Sequence, residues 1–217
     1  MKVVLEPVTT PEQAQWLRVQ RNDPEQYKYF RQDRPIGERE QLLWWKFLDR
    51  TRVRLFIVKD VTNKQVGYAG FNPYDAYGCK AEFGIFIIKG CQGRGLGRAA
   101  MLELLEYGFD RCGLSTIYSD CLQYPGEDRF AFYQKLGFVA HPPPSQTLRY
   151  KKQGLMIPSL KFYMTKDMYK ERYGRKADSG QLGAGNEEAL AGAGEQQARG
   201  RKGPRLHSSS HDLHSAT

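Results

Sequence analysis

The sequence predicts an α/β (α+β) domain followed by a tail, on three observations. Apolar residues recur at helical spacing as far as Leu48 and switch to strand-like runs from Val53. Two such runs, residues 53–60 and 65–71, flank a short turn and read as an antiparallel hairpin. A strand, a glycine-rich loop and an uninterrupted helix then follow one another from residue 81 to residue 111.

The remaining elements fall in place around these. Residues 2–8 read as a first strand. Thr10-Pro11-Glu12-Gln13 starts a helix: Thr10 caps it, Pro11 suits its first turn and Gln13 completes a capping box. That helix runs to Arg21 with Ala14, Leu17 and Trp16 facing inward, until Asn22-Asp23-Pro24 breaks it. A short aromatic stretch follows, then a break at Pro35-Ile36-Gly37. Residues 38–48 form a helix that buries either Leu42, Trp45 and Leu48 or Leu43, Trp44 and Phe47. After the hairpin come a loop at 72–78, a strand at 81–88, the glycine loop at 89–97 and a helix at 96–111. A strand at 116–122 and a helix at 128–136 follow, with closing strands at 138–141 and 160–165. Pro142-Pro143-Pro144 makes a rigid loop. The domain is expected over residues 1–170. Residues 171–217, rich in Gly, Ala and Ser, cannot bury enough apolar surface to order and are expected to be a disordered tail.

Composition narrows the function. The net charge is +9, and residues 1–170 hold 26 basic against 18 acidic side chains, so the surplus belongs to the domain. Such a field attracts phosphates on a nucleotide-bearing ligand or on nucleic acid, and it also serves plain solubility. Arg199-Gly200-Arg201-Lys202 adds a small basic patch in the tail. No run approaches the ~20 apolar residues of a membrane span. The N-terminus meets Glu6 too early for a secretory signal, so a cytoplasmic location without membrane contact is expected, the host cytoplasm if the source is viral. The four cysteines form no CxxC pair and the domain has His141 alone, so no metal site is expected.

The chemistry centres on Gln92-Gly93-Arg94-Gly95-Leu96-Gly97-Arg98, between the 81–88 strand and its helix. Glycines allow positive φ and close approach of a ligand, while free amides at a helix N-terminus favour anions, which makes a pyrophosphate cradle. Arg94 and Arg98 add charge at its rim. No Gly-Lys-Ser/Thr follows, which excludes a P-loop. Gly95-Leu96-Gly97-Arg98-Ala99-Ala100 also fits a dinucleotide fingerprint, but it sits mid-chain behind an antiparallel hairpin with one βαβ unit around it. Gln92-x-x-Gly95-x-Gly97 resembles the acetyl-CoA-binding motif of the GNAT N-acetyltransferases. Phe132-Tyr133-Gln134-Lys135-Leu136-Gly137-Phe138 resembles the second signature of that family. The segment from Arg21-Asn22-Asp23-Pro24 to Trp44-Trp45 is similar to the subgroup of ribosomal-protein N-terminal acetylases and amino-sugar nucleotide acetyltransferases. Two positions depart from the family pattern: Gly126 stands near a frequent Asn, and Arg129 near a small residue.

The resemblance implies a mixed, mostly antiparallel sheet of six to seven strands, with a splayed central pair and helices on both faces. It implies acetyl-CoA as co-substrate, its pantetheine arm paired with the backbone at Phe86, Ile87 and Ile88, and its pyrophosphate on residues 92–98. Tyr133 becomes the expected general acid for the leaving thiolate and Glu82 the expected general base. Tyr27, Tyr29, Phe30, Trp44 and Trp45, with Arg31 and Arg34 nearby, are expected to grip the acceptor, one of the two tryptophans turning away from the core. Four functions remain open. The acceptor amine sits on a nucleotide-bearing small molecule, on an aminated base in nucleic acid as in a phage-type DNA modifier, or on a protein N-terminus or lysine. In the fourth, the chain is a non-catalytic acetyl-CoA sensor. It is expected as a monomer or homodimer.

Overall fold

The computed structural model describes residues 1–72, 79–142, 147–152 and 154–174. The expected tail from 175 on, the 73–78 part of the loop and Pro143-Pro144 lie outside them. The chain begins with β1 (Val3–Pro7) and α1 (Pro11–Arg21). Thr10 Oγ1 accepts the Gln13 N–H, and the Gln13 side chain accepts the Thr10 N–H in return, which is the expected capping box. Asp23 and Pro24 end α1 and at once start another turn, α2 (Pro24–Tyr27), with the Asp23 side chain accepting the Glu25 N–H. The residues that break one helix therefore cap the next. α3 (Glu38–Phe47) buries Gln41 and Trp45.

β2 (Arg54–Asp60), β3 (Gln65–Phe71) and β4 (Lys80–Ile87) form an antiparallel meander beside β1. α4 (Leu96–Glu106), extended by a π-turn to Arg111, leads to β5 (Thr116–Leu122). Then come α5 (Phe130–Lys135), β6 (Val139–Ala140), β7 (Thr147–Lys152), β8 (Leu155–Thr165) and α6 (Lys166–Tyr173). The eight strands make one sheet in the order β1-β2-β3-β4-β5-β8-β6, with β7 also paired to β8. Among the described strands the pair β4–β5 alone is parallel, so the expected architecture holds with one strand more than expected.

β7, the start of β8 and α6 were not expected. Pro158 sits inside β8 and hid the three strand residues before it, since proline reads as a strand breaker. Its carbonyl nonetheless accepts the Gln123 N–H. α6 crosses the boundary expected at residue 170. It is pinned by Tyr173 Oη and Arg172 Nη2 donating to the Leu136 and Lys135 carbonyls, and by Tyr169 stacked on Phe109 at 5.0 Å.

The sheet is covered on both faces. α4 contributes Leu96, Ala100, Met101, Leu104 and Leu105 to the main core, against Phe56 and Val58 of β2 and Phe83 and Ile87 of β4. Ile57, fully buried between Phe56 and Val58, points to the opposite face by strand alternation. There Ala14, Leu17 and Trp45 are also buried. Within the main core an aromatic group surrounds Phe162 of β8, whose ring lies 4.4 Å from Tyr133 and 5.5 Å from Phe138. It fixes α5 on the sheet and so aims Tyr133. Phe162→Ala should destabilise the protein by about 3–5 kcal/mol in denaturant unfolding, and a change below ~1 kcal/mol would show that this aromatic cluster does not anchor α5.

Candidate active site

The site starts where two strands stop pairing. β4 and β5 run in register only through Lys80↔Thr116, Ala81↔Ile117 and Glu82↔Tyr118. Beyond that point the strands diverge, and Ser119 Oγ donates to the Phe83 carbonyl at 2.9 Å. A side chain thus satisfies the first backbone acceptor that the ladder abandons. On its other edge β4 stays paired with β3. Asn72 N–H bonds the Glu82 carbonyl and Ile88 N–H bonds the Val66 carbonyl, so the even-numbered residues of β4 face β3. The odd-numbered residues face the gap. Of the expected pantetheine contacts, Phe86 and Ile88 therefore have their backbone groups turned to β3, while Ile87 faces the gap together with Ile85. The Ile87 carbonyl already accepts Gln92 Nε2 at 2.7 Å.

At one end of the gap lies the N-terminus of α4. Gly93 has φ +74° and Gly95 has φ +76°, a region that costs other residues roughly 1–2 kcal/mol. No side chain caps the helix, so the amides of Leu96, Gly97 and Arg98 remain available. The helix dipole adds to their attraction for an anion. These features fit the pyrophosphate of acetyl-CoA.

A cavity of about 840 Å³ joins this end to the face beneath α1 and α3. It is lined by Gln92, Gly93, Gly95, Leu96, Gly97 and Arg98, by Phe86 and Ile87, and by both expected catalytic residues, Tyr133 and Glu82. Ile88 and Arg94 do not line it. Tyr133 makes no hydrogen bond through its hydroxyl to any described residue, and burial raises its pKa well above that of an ordinary phenol, with Arg129 opposing the shift. Its proton is therefore held at neutral pH. Glu82 accepts from Asn72 Nδ2 at 3.1 Å and pairs with Arg31. Arg31 pairs equally with Asp120 of β5, whose side chain is 6% exposed and also accepts from Ser159 Oγ. Two carboxylates, one from each splayed strand, thus share one guanidinium.

Of the five expected acceptor residues, the structure brings Tyr29, Phe30 and Trp44 to the cavity. Trp45 is 8% exposed and packs inward under Arg50, so it is the core member of the tryptophan pair. Tyr27 is buried as well and does not reach the cavity. Arg129, a departure from the family pattern, lies 3.6 Å above the Tyr29 ring and lines the cavity. Asp120, Ser119, Arg21 and Gln26 were missed. Asp120 could have been found as a lone carboxylate within the otherwise uncharged β5, a placement that needs a partner. Nothing in the sequence marks Gln26.

Among the described residues no group of His, Cys, Asp or Glu could hold a metal ion, and no helix is long and apolar enough to cross a membrane. Solved structures share the fold. The spermidine N-acetyltransferase from Vibrio cholerae in complex with CoA and spermine superposes with a TM-score of 0.69 at 20% identity, over 77% of this chain and 98% of that one. A spermidine N-acetyltransferase chimera from Vibrio cholerae and hSSAT gives 0.65 at 20% identity, over 79% and 100%. No curated protein matches the chain. A model of the acetyltransferase (GNAT) family matches residues 16–138, more than half of the sequence. The chain belongs to the GNAT family and is an N-acetyltransferase that takes acetyl-CoA as co-substrate and an amine as acceptor.

Proposed function

We propose that this enzyme acetylates the primary amine of a small molecule that enters beneath α1 and α3. One observation carries the reading. A single cavity holds an open helix N-terminus, the gap-facing amides of β4, Tyr133 and the Glu82–Arg31–Asp120 group.

The roles follow from what acetyl transfer requires. The acceptor nitrogen must lose its proton before it can attack, and Glu82 takes that proton, directly or through water. The nitrogen then adds to the thioester carbonyl. A gap-facing amide of Ile85 or Ile87 donates to the developing oxyanion. The nitrogen, now carrying one proton too many, loses it to water; as the C–S bond breaks, Tyr133 donates its proton to the departing sulfur and regains one from solvent. A phenol this hard to ionise gives up its proton only to a thiolate that is itself shielded from water, which is the setting of the gap. An acyl-enzyme is not needed. The buried Cys121 is unsuited to one, because burial pushes its thiol up to about 11 and leaves almost no thiolate at neutral pH.

For the acceptor, spermidine and spermine are the first compounds to test, being named with the structures this fold resembles. Glu82 and Asp120 offer such a cation two carboxylates. A nucleotide-bearing amine is the second reading, favoured by Arg21 beside Tyr29, Phe30 and Trp44 in the same lobe.

The test follows free CoA released from acetyl-CoA with a thiol reagent, against polyamines, amino-sugar nucleotides, peptides and amine-modified DNA. Release with a small amine is expected, and silence with small amines but turnover on peptide or DNA would overturn the proposal. Tyr133→Phe should lower kcat by about 10²–10⁴-fold while acetyl-CoA still binds; an unchanged kcat would remove Tyr133 from the chemistry. Cys121→Ala should keep kcat within about twofold, given how little thiolate this residue forms, and a rate lost along with an acetylated Cys121 in the parent protein would reinstate a covalent route.

A further inference from the structure

Two donors in the acceptor lobe have nothing to donate to. Arg21, at the end of α1, forms no ion pair among the described residues, and its Nε is buried without a hydrogen bond. Its guanidinium lies 5.4 Å from the centre of the Phe30 ring. Gln26, five residues on in α2, is 5% exposed, and its Nε2 is likewise buried and unbonded. Both residues line the cavity. Buried polar groups in folded proteins are bonded, and buried charges are paired. Arg31, by contrast, has two carboxylates. Leu17, Phe30, Trp44 and Tyr68 line the same cavity, and no described residue accepts a hydrogen bond from Arg21 Nε or Gln26 Nε2.

A guanidinium Nε–H and an amide N–H are both donors, so the missing group must accept. The geometry points to an acceptor substrate that carries, besides its amine, an anionic oxygen group, a carboxylate or phosphate, bound by Arg21 and Gln26. The inference rests on the acceptor reading of this lobe given above. It also divides the two acceptor classes named there. A linear polyamine has no such group and would set its far ammonium against Arg21, whereas an amine on an acidic body satisfies both ends of the lobe at once: carboxylates near the amine and a cation near the anion.

The test measures binding rather than turnover. Calorimetric titrations of the full chain saturated with CoA compare ω-amino carboxylates of four to eight carbons with α,ω-diamines of equal length. ω-Aminoalkyl phosphates form a third arm that separates phosphate from carboxylate. At the best length the anion-bearing amine should bind about tenfold tighter than the diamine. Arg21→Gln should erase that preference, and Gln26→Leu should reduce it. Because Arg21→Gln removes a guanidinium that has no ion-pair partner among the described residues and whose Nε is buried and unbonded, its Tm should not fall. Equal or tighter binding of the diamines at every length, no binding in any arm, a preference that survives Arg21→Gln, or a lowered Tm in that variant would each overturn the inference. Failure of the underlying acceptor reading looks different: anion-bearing amines that bind as expected but release no CoA from acetyl-CoA.

Discussion

Everything in this molecule depends on the point at which β4 and β5 part. Parallel pairing ends at Glu82↔Tyr118, and the Ser119 hydroxyl occupies the next backbone acceptor. Past that point the odd-numbered residues of β4 have amides and carbonyls in the sheet plane with no strand to receive them. Buried backbone groups left unpaired are costly, so an opening in the middle of a sheet persists only if something else satisfies them. Gln92 does so for the Ile87 carbonyl. In the mechanism proposed above, the acetyl-CoA arm is the partner of the others and completes the ladder along the opening.

The surroundings make sense as supports for that opening. The meander β1–β4 holds one bank rigid, and β8 holds the other by pairing with β5 along its whole length. α4 begins where the gap ends, so its free amides are placed for an anion at the foot of the slot. Phe162 and Phe83 fix the Tyr133 ring from β8 and β4, which holds the proposed proton donor in place. On the far face Arg31 bridges Glu82 and Asp120, one carboxylate from each bank, and so ties the mouth of the gap together electrostatically. Removing one member of such a group leaves uncompensated charge, so these residues also hold the two banks together.

Much of this was legible in the residues. The capping box at Thr10, the hairpin and the glycine loop declare themselves through local rules of propensity and spacing, and the Tyr133 segment through its resemblance to the family's second signature. Local rules also gave the choice between Trp44 and Trp45 as an alternative, which burial then resolved. What they could not give was register. Whether Phe86 or Ile87 turns its amide into the gap depends on how β4 pairs with β3, and a shift of one residue would exchange them. Asp120 and Arg21 are partners of nothing nearby in sequence; their roles arise from contacts across the sheet or from their absence. β7, the start of β8 and α6 escaped because Pro158 imitates a breaker and because α6 is held by tyrosines and an arginine rather than by an apolar stripe.

Amide hydrogen exchange on β4, followed by NMR with and without CoA, tests the central claim most directly. Phe86 and Ile88 should exchange slowly in both states, since their amides face β3. Ile85 and Ile87 should exchange markedly faster without CoA and slow down when it is added. Equal protection of all four amides in the free protein would mean that the ladder is closed there, and unchanged exchange at Ile85 and Ile87 with CoA bound would mean that the co-substrate does not complete the sheet.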